Sequence, residues 1–330
     1  MRAFVTGGSG YLGRNLLSAL AARGDTVRAL VRGEEAARKV QALGAQPVRG
    51  GLDQPEALRE GMAGCEVLFH AAALTSARAP DAEFHRVNVL GTEAVLAAAR
   101  AAGVQRVVHV STEAVLADGL PLIQVDESRP LPAKPFPGYP ATKAQAERLV
   151  LQANAPGFTT LVVRPRFIWG ADDTAFLPQL IEAVRTQRFR WMDGGRYLTS
   201  TCHVANVCEG MLLAAERGRG GEVYFLTDGP PVELRAFLTQ LLETQGIQAN
   251  VGNISFGVAR AAAHLTESLW RALVPGARAP ALRLAVYLLG REVTLKDDKA
   301  RRELGYVGQV THAQGLEALR RAGPARSLLE

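Results

Sequence analysis

Residues 136–150 read FPGYPATKAQAERLV and set a tyrosine and a lysine, Tyr139 and Lys143, four positions apart. On a helix such residues share one face. Pro140 suits a first helical turn, which puts Tyr139 beside the positive end of the helix dipole. A phenol with an ordinary pKa of about 10 exchanges protons poorly at neutral pH. A neighbouring ammonium and a helix N-terminus both favour its ionised form, so the pair predicts an acid/base group with a lowered pKa. The lysine is itself informative, because the chain holds five lysines against 33 arginines. A compact ammonium fits beneath a phenol and a sugar where a planar guanidinium does not. A third component is expected where the run RVVHV ends in STEAV. A hydroxyl there would donate to a substrate oxygen as charge develops on it. Thr112 is the first candidate and Ser111 the second, the plainer alternative being a hydroxyl that caps a turn.

A second motif supplies the partner for this chemistry. TGGSGYLG, residues 6–13, directly follows an apolar run and opens a helical one. Gly7 permits a tight turn, Gly10 lets backbone approach a pyrophosphate, and Gly13 lets helix pack against strand. Tyr11 and Leu12 begin the helix whose free N–H groups face the anion. Lys143 is then expected to hold the nicotinamide ribose as well as to support Tyr139. The next apolar run, VRALVRG, carries Val31 where an NAD enzyme usually has an acid for the ribose 2′-hydroxyl. Arg32 follows it, and Lys39 lies seven residues on, where a helix can turn it back. Two cations and no acid point to a 2′-phosphate, hence NADP, with NAD as the alternative.

These residues need a scaffold, and the periodicity describes one. Continuous apolar runs (VVHV, LVV) alternate with alanine- and leucine-rich helical segments through the first half of the chain. That alternation predicts an α/β fold with a doubly wound parallel sheet, the Rossmann type, and a smaller helix-rich C-terminal cap. The dinucleotide-binding domain is expected over 1–168, rejoined by 198–228, and the substrate-binding cap over 169–197 and 229–330. One long helix is expected from about Ala82 to Ala102, and proline-glycine breaks are expected around Pro275–Pro280. In the cap, Trp169, Phe176, Leu177, Trp191, Leu198, Phe256, Leu269, Trp270 and Leu273 can line an apolar pocket or form ordinary helix core.

Composition narrows the classes. With 48% apolar and 21% charged residues the chain is globular in make-up. Its net charge of +6 comes from scattered arginines without interleaved aromatics, so nucleic acid is not an expected partner. Three cysteines form neither a CxxC pair nor an even framework, and no His/Cys/Asp/Glu grouping has metal spacing. A reducing, cytoplasmic location is expected. The N-terminal MRAFVTGG lacks the apolar segment of a signal peptide.

TGGSGYLG, VFHAAALTS, NVLGT, VSTEAV, YPATK and RPRFIWG occur in the order of an extended short-chain dehydrogenase/reductase. Within that group, and over nearly the whole length through FLPQLIEA and KARRELGY, the chain resembles the 3β-hydroxysteroid dehydrogenase/isomerase family. It is similar there to sterol-4α-carboxylate 3-dehydrogenases and bacterial 2-alkyl-3-oxoalkanoate reductases. The resemblance implies Tyr139 as acid/base, Lys143 as its partner and Thr112 as the donor to the substrate oxygen. It also implies Ala71, Ala72 and Ala73 along the cofactor and Pro165 near the nicotinamide. Gly51 stands where the family often has an acid for adenine, so Leu52 is the contact expected there. The activity implied is interconversion of a secondary alcohol and a ketone on a large apolar substrate, sterol-like or a long-chain β-keto acid. Two alternatives are a sugar-nucleotide epimerase or dehydratase of the same fold, and a dinucleotide-binding protein without catalysis. A dehydratase wants two carboxylates after the threonine, and here Glu113 is followed by Ala114. Asn88 is expected to hold backbone near the site, and His70 and His109 to be core or hydrogen-bonded to backbone. His203 is left open. A homodimer through the alanine-rich helices Gly91–Ala102 and Pro140–Ala153 is expected, as is peripheral membrane contact through the amphipathic C-terminal segment.

Overall fold

The apolar runs become a seven-stranded sheet in a computed structural model of the chain, which describes residues 1–76, 79–273 and 282–323. Its strands are β1 (Arg2–Thr6), β2 (Thr26–Val31), β3 (Gln46–Arg49), β4 (Val67–His70), β5 (Arg106–Val110), β6 (Thr159–Pro165) and β7 (Val223–Leu226). All pair in parallel, in the order β7-β6-β5-β4-β1-β2-β3. The chain therefore winds outward from β1 in one direction and from β4 in the other. The switch point lies between β1 and β4, and a crevice opens at their carboxyl ends.

Helices cover both faces, which is why the central strands carry no polar alternation. The helices α1 (Tyr11–Ala22), α2 (Glu34–Gln41) and Val204–Arg217 bury Leu16, Leu17, Val207 and Met211 against one face. Those at α3 (Pro55–Met62), Gly91–Ala101 and Tyr139–Gln152 bury Leu58, Leu96 and Val150 against the other.

The expected helix from Ala82 to Ala102 is interrupted. A short turn, Asp81–Phe84, widens into a π-helical segment, His85–Leu90, before the α-helix Gly91–Ala101. Such wide turns re-aim a side chain, and here the residue re-aimed is Asn88. A four-stranded sheet of very short strands, not foreseen from the sequence, joins Val232–Glu233, Leu198–Thr199, Val293–Leu295 and Leu122–Val125 in that order. Strands of two to four residues made from distant segments leave no periodic trace.

The C-terminal part has its own core. Trp169, Leu177, Leu180, Trp191, Phe237 and Leu316 pack together between the helices Leu177–Arg185, Leu234–Glu243 and His312–Ala322. Trp169, Leu177 and Trp191 are thus core rather than pocket lining. Phe256 is buried at the start of the helix Phe256–Leu273, whereas Leu198, Leu269, Trp270 and Leu273 are exposed. The expected breaks around Pro275–Pro280 lie outside the described residues.

Candidate active site

The turn after β1 is built for an anion. Gly7 has φ of +75°, and a Cβ there would sit 2.7 Å from the Ala72 amide nitrogen. The Gly10 amide donates to the Gly7 carbonyl at 3.0 Å, closing the turn. A Cβ on Gly13 would fall 2.0 Å from that same carbonyl, so only glycine lets α1 rest directly on the turn. Gly10 caps α1 without a side-chain bond, and no acid occupies the first turn. The first-turn amides of Tyr11, Leu12 and Gly13 therefore present a positive end to the crevice. The Tyr11 hydroxyl is buried without a partner among the described residues, and burial, with Asp173 adding to it, pushes its pKa up. The Ala71 amide donates to the Thr6 carbonyl at 3.3 Å and the Ala72 amide to the Thr6 hydroxyl at 3.3 Å, which lays residues 71–73 along the turn.

Of the two cations beyond β2, Arg32 is exposed and has no ion pair among the described residues, while Lys39 is bound to Glu35 at 2.6 Å. Leu52 packs on the helix start at Gly91, where an added Cβ would meet it at 2.9 Å. Pro165 is buried at the end of β6 beside Leu226.

Tyr139 opens its helix after Gly138, whose φ is +77°. One turn on, Lys143 is buried, and its Nζ donates to the Val110 carbonyl at 2.6 Å and lies 3.0 Å from His109 Nε2. Burial pushes the Lys143 pKa down to about 7, and Glu147 pulls it back only in part. The ammonium is thus drawn down onto β5. The phenol is governed instead by burial and by Glu113, which both push its pKa up, against an opposing pull from the Thr112 hydroxyl. The direction is opposite to the expected lowering: loss of water comes first, and the charge acting beside it is the Glu113 carboxylate and not an ammonium.

Of the two hydroxyl candidates, Thr112 is the one beside Tyr139. Ser111 turns the other way and donates to Glu147 at 2.7 Å, inside a buried ion pair of Glu147 with Arg164. A buried polar line links this group to the glycine turn. Thr6 bonds His70 Nδ1 at 2.7 Å, His70 and His109 rings lie 5.0 Å apart on paired strands, and His109 meets Lys143.

The 3-beta hydroxysteroid dehydrogenase/isomerase family matches residues 4–256. The chain belongs to that family. It is 84% identical over 325 residues, 98% of this chain and 97% of the other, to a 4-hydroxy-2-methyl-3-oxo-4-farnesyl-3,4-dihydroquinoline-1-oxide ketoreductase from Stigmatella aurantiaca. It is 33% identical to a 2-alkyl-3-oxoalkanoate reductase from Stenotrophomonas maltophilia, covering 98% of this chain and 100% of that one. In fold it is similar to a dTDP-glucose 4,6-dehydratase double mutant from Streptomyces venezuelae solved with NAD, with a TM-score of 0.76 and 24% identity over 97% of this chain and 96% of that one. The chain is accordingly an NAD(P)-dependent oxidoreductase.

Further groups come together around Tyr139 that were not among the expected site residues. Glu113 and Arg166 form a buried ion pair at 2.6 Å. Tyr287, from the helix Leu282–Gly290, is buried against Phe136 at 5.5 Å between ring centroids. Arg166 stands as a charge inside the apolar RPRFIWG, whereas nothing local marks Tyr287. His109 is core as expected, yet it is also the residue that receives Lys143. His70 bonds the side chains of Thr6 and Thr92 rather than backbone. Asn88 clamps Leu74, accepting from its amide at 2.7 Å and donating to its carbonyl at 3.1 Å. His203 caps the helix Val204–Arg217 through Nδ1 and packs edge-on against Trp169. Among the described residues no cluster of His, Cys, Asp or Glu has the arrangement of a metal site.

Proposed function

We propose that the protein reduces a ring ketone on a prenylated, large apolar substrate, with NADPH as the reductant. The observation that carries this reading is the placement of Tyr139 and Thr112 together at the carboxyl end of β5, with Lys143 beneath and the glycine turn two strands away. The class of substrate follows the relative that is 84% identical over almost all of the chain. When bound, a reduced pyridine nucleotide supplies the hydride for the carbonyl carbon. Tyr139 gives its proton to the carbonyl oxygen, and Thr112 donates a hydrogen bond to the same oxygen. Lys143 forms the floor and is positioned to turn from Val110 toward a ribose hydroxyl. The amides of residues 11–13 would hold the pyrophosphate, and Arg32 a 2′-phosphate. The exposed apolar side of the helix Phe256–Leu273 rests on a lipid surface from which such a substrate is drawn.

The test follows nicotinamide absorbance with 4-hydroxy-2-methyl-3-oxo-4-farnesyl-3,4-dihydroquinoline-1-oxide as substrate. Consumption of NADPH in preference to NADH is expected. Tyr139→Phe should lower kcat by about 10²-fold or more. Arg32→Ala should narrow the preference for NADPH. Turnover that survives the loss of the Tyr139 hydroxyl would sink the reading.

A further inference from the structure

The hydrogen bonds of Thr112 are already committed. Its hydroxyl donates to Glu113 Oε2 at 2.8 Å, and its oxygen accepts from the Ala114 amide at 3.2 Å. A threonine carries one hydroxyl hydrogen. Turning it toward a ketone oxygen takes it away from Glu113. That carboxylate is buried, and only its other oxygen is held, by Arg166 Nη1 at 2.6 Å. Arg166 has little left to give. Its Nε and Nη2 bond the Thr199 hydroxyl at 3.2 and 2.9 Å, and Nη2 also bonds the Leu288 carbonyl at 3.1 Å. A buried charged oxygen stripped of its donor is costly, more so than a neutral one. The bound state therefore needs a new donor at Glu113 Oε2.

We infer that Glu113, held in place by Arg166, binds the hydroxyl on the carbon next to the reacting ketone, a hydroxyl that the 4-hydroxy-3-oxo substrate of the proposed function already carries. Two adjacent groups, Thr112 Oγ1 and Glu113 Oε2, would address two adjacent substrate oxygens, one as donor to the carbonyl and one as acceptor from the hydroxyl. A second polar group lies in the wider field of these charges: the Tyr287 hydroxyl is buried without a partner among the described residues, and burial and then Asp118 and Glu113 push its pKa up. A ketone without the hydroxyl leaves Glu113 unpaired, the kind of defect by which polar sites reject analogues. The inference rests on the reading of Thr112 and Tyr139 as the pair that receives the ketone oxygen.

The experiment compares two farnesylated cyclic ketones that differ only in the α-hydroxyl, by kcat/KM and by calorimetric binding to the full chain with NADP⁺ present. The wild type should prefer the hydroxy ketone by about tenfold or more, and Glu113→Gln should bring the ratio close to one. No preference in the wild type overturns the inference, because Tyr287 would then be satisfying the carboxylate unaided. An equal loss on both ketones in Glu113→Gln also overturns it, since Glu113 would be serving the fold or Tyr139. Should neither ketone be turned over, the functional reading fails separately, and calorimetry still decides by whether the hydroxy ketone binds more tightly. If Glu113→Gln does not fold, the wild-type comparison and Glu113→Asp, which retains the charge but withdraws it, carry the test.

Discussion

Lys143 shows how burial changes what a residue can do. Its ordinary pKa of 10.5 falls to about 7 in the folded chain because the ammonium has left water. The sign for stability follows from proton counting. Between about pH 7 and 10.5 the unfolded chain binds the extra proton and the folded chain does not, so stability gained from this residue rises with pH across that window. Below pH 7 both states carry the charge and the full cost of burying it is present. Denaturation of the wild type and of Lys143→Met, measured without nucleotide from pH 6 to 10, should show the wild type gaining on the variant as pH rises. A difference that stays flat would mean the ammonium is not desolvated. The choice of Tyr139 and Lys143 was legible from spacing and from the scarcity of lysine. The electrostatic balance around them was not, because Glu113 acts on the phenol and Val110 and His109 draw the lysine away.

At the scale of elements, the turn from β1 into α1 is the most constrained piece of backbone near the site. Gly7 needs a left-handed conformation, and Gly13 needs the absence of a Cβ, whose place is filled by the Gly7 carbonyl. Gly13→Ala should push α1 off the turn, at a cost of about 1–3 kcal/mol by the measure of overpacked sites. It should also move the first-turn amides away from a pyrophosphate. Thermal melting and NADPH fluorescence titration of the variant check both effects, and binding as tight as in the wild type would contradict the assignment of this turn. Glycine patterns of this kind can be read from sequence because the demand is local. The π-helical segment His85–Leu90 could not be, since it accompanies the bonds of Asn88 to Leu74, fourteen residues back on a separate segment.

For the whole molecule, the distribution of apolar surface matters most. The helix Phe256–Leu273 leaves Leu265, Leu269 and Leu273 exposed at four-residue spacing, one continuous stripe, with Leu273 76% exposed. Arg260 lies exposed on the same helix, and the chain carries a net +6. No helix among the described residues is long and apolar enough to cross a membrane; an exposed apolar stripe on one helix face suits contact in the plane of a lipid surface. Flotation with anionic liposomes at low salt should carry the protein upward, and Leu265→Glu with Leu269→Glu should leave it at the bottom. Absence of co-migration by the wild type would exclude the lipid surface as the source of substrate.

Sequence alone determined what local rules govern. The alternation of buried strands and helices, the glycine turn and the tyrosine-lysine helix each depend on neighbours a few positions away, and each stands where the periodicity put it. Tertiary structure decided what depends on distant segments meeting. It paired Glu113 with Arg166, 53 residues on, and brought Tyr287 over Phe136. It also sent Trp169 and Trp191 into the core of the C-terminal part. Burial and charge pairing are properties of the assembled interior, where water is gone and a single carboxylate outweighs a helix dipole.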